Sequence, residues 1–223
     1  MMKTILVVVL TALQAYLLGS VDTGILISKF VYHDDVRSHG SGAAGMTNML
    51  RTFGKKAAAM TALGDVLKGV AAVCIGRWLF RQLPPDTVVS AYLGAYLAAI
   101  LAVIGHLKPL YFGFKGGKGV LVGAVMLAFF DWRVFVIAFA LFILSVVLTK
   151  WISLGSILGA VSFPITTWLF YRDPVLTAMA FGMAAAVVFM HRSNIGRILH
   201  GTENKFSFKS KKTIEASPDG EEK

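Results

Sequence analysis

Cysteine is nearly absent from this chain of 223 residues. The single Cys74 lies in an apolar run, which excludes a disulfide framework and a cysteine metal site. Charge is scarce as well. Asp, Glu, Lys and Arg make up 15% of the residues, against about 25% in soluble domains. Carboxylates are the rarer sign: 12 Asp and Glu stand beside 22 Lys and Arg, for a formal net charge of +10. No His-x-x-Glu-His metal pattern and no clear Ser-His-Asp arrangement occur, and no metal or other cofactor is implied. No internal repeat and no nucleic-acid motif is visible. The basic excess therefore points to anionic lipid and membrane orientation rather than to nucleic acid.

Apolar residues are what the chain does have. They make up 56% of it, and mean hydropathy is +0.69. Apolar segments fall near residues 4–26, 57–80, 87–105, 119–131, 134–150, 154–171 and 174–190. The pattern predicts an all-α integral membrane protein with seven transmembrane helices. Few residues remain outside these runs, so residues 1–204 read as a single domain. Residues 205–223 read as a charged, disordered cytoplasmic tail. The first run lacks a small-x-small cleavage site, which argues against a removed signal peptide. The fourth run is short for a bilayer core of about 30 Å and reads as a partial or re-entrant span.

Loop charge predicts the orientation. Only five of the 22 Lys and Arg residues, Lys3, Arg77, Arg81, Arg133 and Arg172, fall on one side of the seven runs. The other side is then cytoplasmic, with the N-terminus outside and the C-terminus inside. The outer turns are short. The inner segments hold nearly all the polar residues, so the chemistry is expected at the cytoplasmic face.

One inner stretch stands out: Gly113-Phe114-Lys115-Gly116-Gly117-Lys118-Gly119. Glycine amides and two lysines in one turn suit a phosphate cradle. It is not a Walker loop, since Phe112 and Gly119 stand where Gly and Ser or Thr would be needed. A second inner segment, Ser41 to Arg51, offers hydroxyls, the Asn48 amide and a guanidinium fork. Asp65 and Lys68 share a helix face inside an apolar run, where ionisable residues are costly. Asp22 is a further carboxylate near the inner end of the first run, among small residues that suggest close helix packing. Gly105-His106 precedes the glycine stretch. Ser153 and Ser156 stand where helix caps would be, and Ser156 also suits an anion site at a helix N-terminus. His191, Asn194 and Arg197 recur every three residues, on one helical face, with Glu203 shortly after. Three inner segments thus carry phosphate donors, with no nucleophile or metal. That combination suggests transfer from an activated donor, with positioning and charge stabilisation as the catalytic means.

In their order and spacing these segments resemble the bacterial membrane acyl-phosphate:glycerol-3-phosphate acyltransferases, the PlsY family, from about Gly19 to Glu203. The resemblance is carried by Ser41-Gly42…Gly45…Thr47-Asn48…Arg51, Gly64-Asp65…Lys68-Gly69 and Gly105-His106…Phe114-Lys115-Gly116-Gly117-Lys118-Gly119. It continues in Ser153-Leu154-Gly155-Ser156-Ile157 and His191…Asn194-Ile195…Arg197…Gly201-Thr202-Glu203. The resemblance implies acyl transfer from acyl phosphate to the 1-hydroxyl of glycerol 3-phosphate, giving lysophosphatidic acid and phosphate. It implies no cofactor and no CoA or acyl carrier protein donor, and a multi-pass place in the bacterial plasma membrane. It implies catalytic roles for Ser41, Arg51, Lys118, Ser156, His191 and Asn194. Substrate binding would fall to Thr47, Asn48, Lys115, Gly116, Gly117, Gly119, Arg197 and Glu203.

The chain departs from the family pattern. Ala43, Ala44 and Met46 replace Asn, Pro and Ala of the first motif, Asp22 stands where Pro is usual, and Lys108 where an apolar residue is. Rival classes fit less well. Glycerolipid acyltransferases that use thioesters carry His-x-x-x-x-Asp, but the residues five after the histidines are Ser38, Ala44, Tyr111, Gly196 and Lys205. The Asp-rich motif of CDP-alcohol phosphotransferases is absent, and so is the repeat expected of many transporters.

Overall fold

Each apolar run contributes a helix. The structure is a computed structural model and describes residues 1–84 and 91–206. The helices are α1 (Met2–Ser20), α2 (Thr23–Val31), α3 (Met46–Phe80), α4 (Ala91–Leu107) and α5 (Val120–Phe130). They continue as α6 (Trp132–Thr149), α7 (Ile152–Tyr171), α8 (Pro174–Met190) and α9 (Arg192–Leu199). Single 3₁₀ turns form at Val36–Ser38 and Leu110–Phe112, and no strand occurs among the described residues. Most of the tail, from residue 207 on, and the outer turn residues Pro85 and Asp86 lie outside the described residues.

Two helix boundaries differ from the apolar pattern. The first run breaks at Val21-Asp22, because the Asp22 carboxylate accepts the Ile25 N–H at 3.2 Å and caps a new helix, α2. The polar stretch before the second run is itself helical. α3 begins at Met46 and kinks at Gly54, whose φ of 85° is open to glycine but strained for other residues. Thr47, Asn48 and Arg51 therefore ride on a helix, with Thr47 and Arg51 one turn apart on the same face.

α1 packs on α3 and α4, and α4 and α5 close against α3. α6, α7 and α8 follow as successive neighbours. The core between them is built from small and branched residues: Ala15, Ala72, Ala98, Ala102, Val103, Val122 and Val134 are all buried. At the α1–α4 crossing a Cβ on Gly19 would lie 2.6 Å from the Ala102 Cα, so the small residues there are what allow the approach. Outward faces are apolar: Leu148 is 74% and Phe181 66% exposed. Lipid rather than water suits such a surface.

Among the described residues, five helical segments qualify by length and apolarity to cross a membrane: Met2–Val31, Met46–Phe80, Leu93–Phe112, Trp132–Thr149 and Ile152–Tyr171. A sixth is counted when α8 and α9, bent by 58°, are taken as one broken span. α5 has 11 residues, so at 1.5 Å per residue it reaches only about 16 Å of the roughly 30 Å required.

A second, smaller core fixes the segment before α3. Ile25, Val36, Met49, Phe53 and Ala57 bury together, and Tyr32 stacks on Phe53 at 4.6 Å. At the far end of the bundle, Asp131 ties α6 to α7. It takes a fork from Arg133 and a 2.6 Å hydrogen bond from the Tyr171 hydroxyl.

Candidate active site

Asn48 organises the first inner segment. Its side-chain amide donates to the carbonyls of Val36, His39 and Ala43 at 2.9–3.0 Å, and its oxygen accepts the Ser41 N–H at 3.0 Å. The segment from 36 to 43 is thereby wrapped around one buried residue. Asn48 borders the cavity described below, but its polar atoms are taken up in placing Ser41. Of the departures in this motif, Ala44 is fully buried, while Ala43 and Met46 face the cavity.

The glycine stretch is held differently from a free phosphate cradle. The Gly117 N–H donates to the His106 carbonyl at 3.0 Å, and Phe114 N–H donates to Pro109. Arg37 grips the same turn from the other side. One of its terminal nitrogens donates to the carbonyls of Phe112 and Lys115, at 2.8 and 3.1 Å. Asp35 orients that guanidinium, which holds the Asp35 carboxyl down to about 2. Lys115 points outward and is exposed. Gly119, at φ 75°, turns the chain into α5.

Lys118 points inward. Its ammonium bonds the Asn194 side-chain oxygen. Burial, with Arg197 adding to it, lowers the Lys118 pKa to about 8. The bend between α8 and α9 falls at His191 and brings Asn194 round to meet it. Glu203 is the hub behind Asn194. It accepts from the Asn194 amide at 2.7 Å, from Ser153 Oγ at 2.9 Å and from Arg197 Nε at 2.8 Å. Burial would raise its pKa, but these hydrogen bonds outweigh that and hold the carboxyl below its ordinary value. His191 donates from Nδ1 to the Val187 carbonyl at 2.8 Å, which leaves Nε2 as an acceptor. The two serines in the first turns of α7 do not cap it. Ser156 Oγ bonds the Ile152 carbonyl inside the helix, and Ser153 reaches Glu203.

A cavity of about 370 Å³ lies between α3, α5, α6, α7 and α8. Ser41, Arg51, Lys118, Ser156, His191 and Asn194 all line it, as do Thr47, Asn48, Gly119 and Glu203. Lys115, Gly116, Gly117 and Arg197 do not. Along α7 the lining runs from Ile152 to Phe163, about 16 Å. Its polar residues gather at the Ile152 end. The other end is walled by Leu127, Phe135, Phe139, Phe163 and Met183. One cavity thus joins a polar chamber that holds Arg51 and Lys118 to an apolar channel.

Arg37 and Ser153 act on this site and were not singled out from sequence as site residues. Their roles depend on partners 75 and 50 positions away, and spacing along the chain does not show these.

A profile of the family described as glycerol-3-phosphate acyltransferase matches residues 9–201. The chain belongs to that family. It is an acyltransferase of the PlsY kind and an integral membrane protein. A glycerol-3-phosphate acyltransferase of Clostridioides difficile (strain 630) is 42% identical over 201 residues, 90% of this chain and 96% of the relative. Its counterpart in Thermoanaerobacter sp. (strain X514) is 39% identical over 91% of this chain and 97% of the relative. The crystal structure of PlsY, an integral membrane glycerol 3-phosphate acyltransferase, superposes in its glycerol 3-phosphate form with a TM-score of 0.79. That match is at 29% identity over 90% of this chain and 96% of the other. Its lysophosphatidic acid form gives 0.76.

Proposed function

We propose that this acyltransferase moves an acyl group from acyl phosphate to the 1-hydroxyl of sn-glycerol 3-phosphate, releasing lysophosphatidic acid and phosphate. The observation that carries the reading is the single cavity with cations at one end and apolar walls at the other. Each substrate brings a phosphate, and one also brings a hydrocarbon tail. Lys118 and Arg51 supply the cations. Arg51 forms no ion pair among the described residues and is open to an anion. The tail lies along α7 from Ser156 toward Phe163.

The donor is a mixed anhydride and is already activated, so no enzyme nucleophile is required. The glycerol hydroxyl oxygen attacks the acyl carbon, the carbon–oxygen bond to phosphate breaks, and phosphate departs with the electron pair. Lys118 and Arg51 stabilise the charge gathering on it. His191 Nε2 accepts the hydrogen bond of the attacking hydroxyl and orients it. An imidazolium there would be buried beside the Lys118 ammonium, so the proton ends on the departing phosphate. Ser41, Ser156 and Thr47 orient the phosphates and the carbonyl, and Asn194 holds Lys118. Lys115 and Arg197 act from outside the cavity, Lys115 by attracting anions and Arg197 through Glu203. Asn48 and the Gly116, Gly117 and Gly119 backbone shape the chamber.

The same proposal places residues 1–204 in one domain of seven crossings in the bacterial plasma membrane, N-terminus outside and C-terminus in the cytoplasm. The chamber then opens at the cytoplasmic face, where glycerol 3-phosphate is dissolved, and the acyl donor enters from the bilayer. Mass spectrometry of the products tests the chemistry. Purified protein given palmitoyl phosphate and glycerol 3-phosphate should form lysophosphatidic acid in step with phosphate; phosphate without an acylated glycerol product would reduce the protein to a hydrolase.

A further inference from the structure

Gly116 and Gly117 both adopt backbone angles open to any residue, since neither is among the glycines of positive φ. Their identity is set instead by what lies against them. A Cβ on Gly117 would fall onto the His106 imidazole, nearest to Nε2 and 2.7 Å from Cε1. A Cβ on Gly116 would meet the His106 carbonyl and, at 2.7 Å, the Pro109 ring. The Gly117 amide is bonded to His106 as well. Arg37 and Pro109 hold the start of the turn, and the part next to Lys118, at Gly117, rests on His106.

That residue is fixed from behind by buried charge. Lys68 Nζ lies 2.9 Å from His106 Nδ1, 2.8 Å from Asp65 Oδ1 and 2.9 Å from the Val21 carbonyl. The ammonium donates, so Nδ1 accepts and the ring proton sits on Nε2. Asp22 and Asp65 approach Nδ1 at 3.7 and 3.8 Å. All four side chains are buried. Ionisable groups at such depth are expensive to keep. A purely structural pin between α1, α3 and α4 would have no reason to present a ring edge to Gly117, and both Asp65 and His106 reach the wall of the cavity that holds Lys118.

We propose that His106 is the positioning residue that seats Lys118. Its imidazole, locked by Lys68 between Asp22 and Asp65, fills the space over Gly117 and fixes the turn. The inference rests on the proposed acyl transfer for its activity readout. It gives the glycine pair a steric purpose in place of direct phosphate contact.

A compensating pair of substitutions tests it. Gly117→Ala should displace the turn and lower kcat/KM by about 100-fold, the order expected when a reacting group moves by about 1 Å. His106→Asn keeps an amide atom where Nδ1 accepts from Lys68 and lacks the ring edge over Gly117. In that background Gly117→Ala should cost nothing further, a non-additive result. An equal loss from Gly117→Ala in both backgrounds, or no loss in the native one, overturns the proposal. Should Gly117→Ala not fold alone, the contact is read without touching the glycine. His106→Gln carries its amide to the Nε2 position and should keep more kcat/KM than His106→Asn; equal values overturn it. Melting temperatures of the four proteins of the cycle should show the same non-additivity. That signal survives if the native protein turns over no acyl phosphate, a result that would sink the proposed function alone.

Discussion

In the proposed reaction, Lys118 is the residue on which the chemistry turns. Its ammonium must be charged to hold a phosphate, and burial brings its pKa down to about 8. The free enzyme's kcat/KM should be level below that pH and fall as pH rises through it, approaching tenfold per unit for one essential proton. A bound phosphate favours the ammonium, so the fall in kcat should come at higher pH. A kcat/KM profile still rising well above pH 8 would mean that neutral Lys118 is the active form. Removing the charge by Lys118→Ala should cost about 1,000-fold in kcat/KM, measured with protein whose melting temperature is unchanged. Lys118 was legible in the sequence as a lysine among glycines between apolar runs, and the fold brings it to the cavity wall. The sequence did not show why Gly117 is glycine, since the reason is an imidazole 11 positions away in chain order.

At the scale of elements, two short inner segments are made rigid by single side chains. Asn48 gathers 36–43, and Arg37 clasps 112–115. Asn48→Ala leaves three carbonyls and one N–H of this segment without that partner, and should cost about 1–3 kcal/mol of stability for the buried groups. Thermal unfolding in detergent reads this directly. Arg37→Ala frees the carbonyls of Phe112 and Lys115. It should lower kcat/KM about tenfold by loosening the turn, with KM for glycerol 3-phosphate the first value to examine. The apolar runs made the long helices legible. The helical turns at 46–53 were not, because their apolar residues Met49 and Phe53 bury against Ile25, Val36 and Ala57 rather than against the main core. Nor was the break before α2, which one carboxylate cap decides.

For the whole molecule, the uneven spread of lysine and arginine predicts which end of the bundle meets the cytoplasm. Cys74 is the sole cysteine, so a Cys74→Ser background suits single-cysteine mapping. Cysteine placed at Lys3 should react with an impermeant reagent added outside intact cells, and cysteine at Asn204 only after permeabilisation. The reverse pattern would put the chamber on the outer face. This family was legible from its five motifs in order. The cavity that unites them was not, because it needs α3, α5, α7 and α8 to converge.

The most direct test of acyl phosphate as donor is a donor comparison in detergent micelles or lipid mesophase. Phosphate release is followed with palmitoyl phosphate, and CoA release with palmitoyl-CoA, each at rising glycerol 3-phosphate. Phosphate release that saturates with glycerol 3-phosphate, beside no CoA release, is the predicted result. Acceptor-dependent CoA release, with palmitoyl phosphate left intact, would contradict the account.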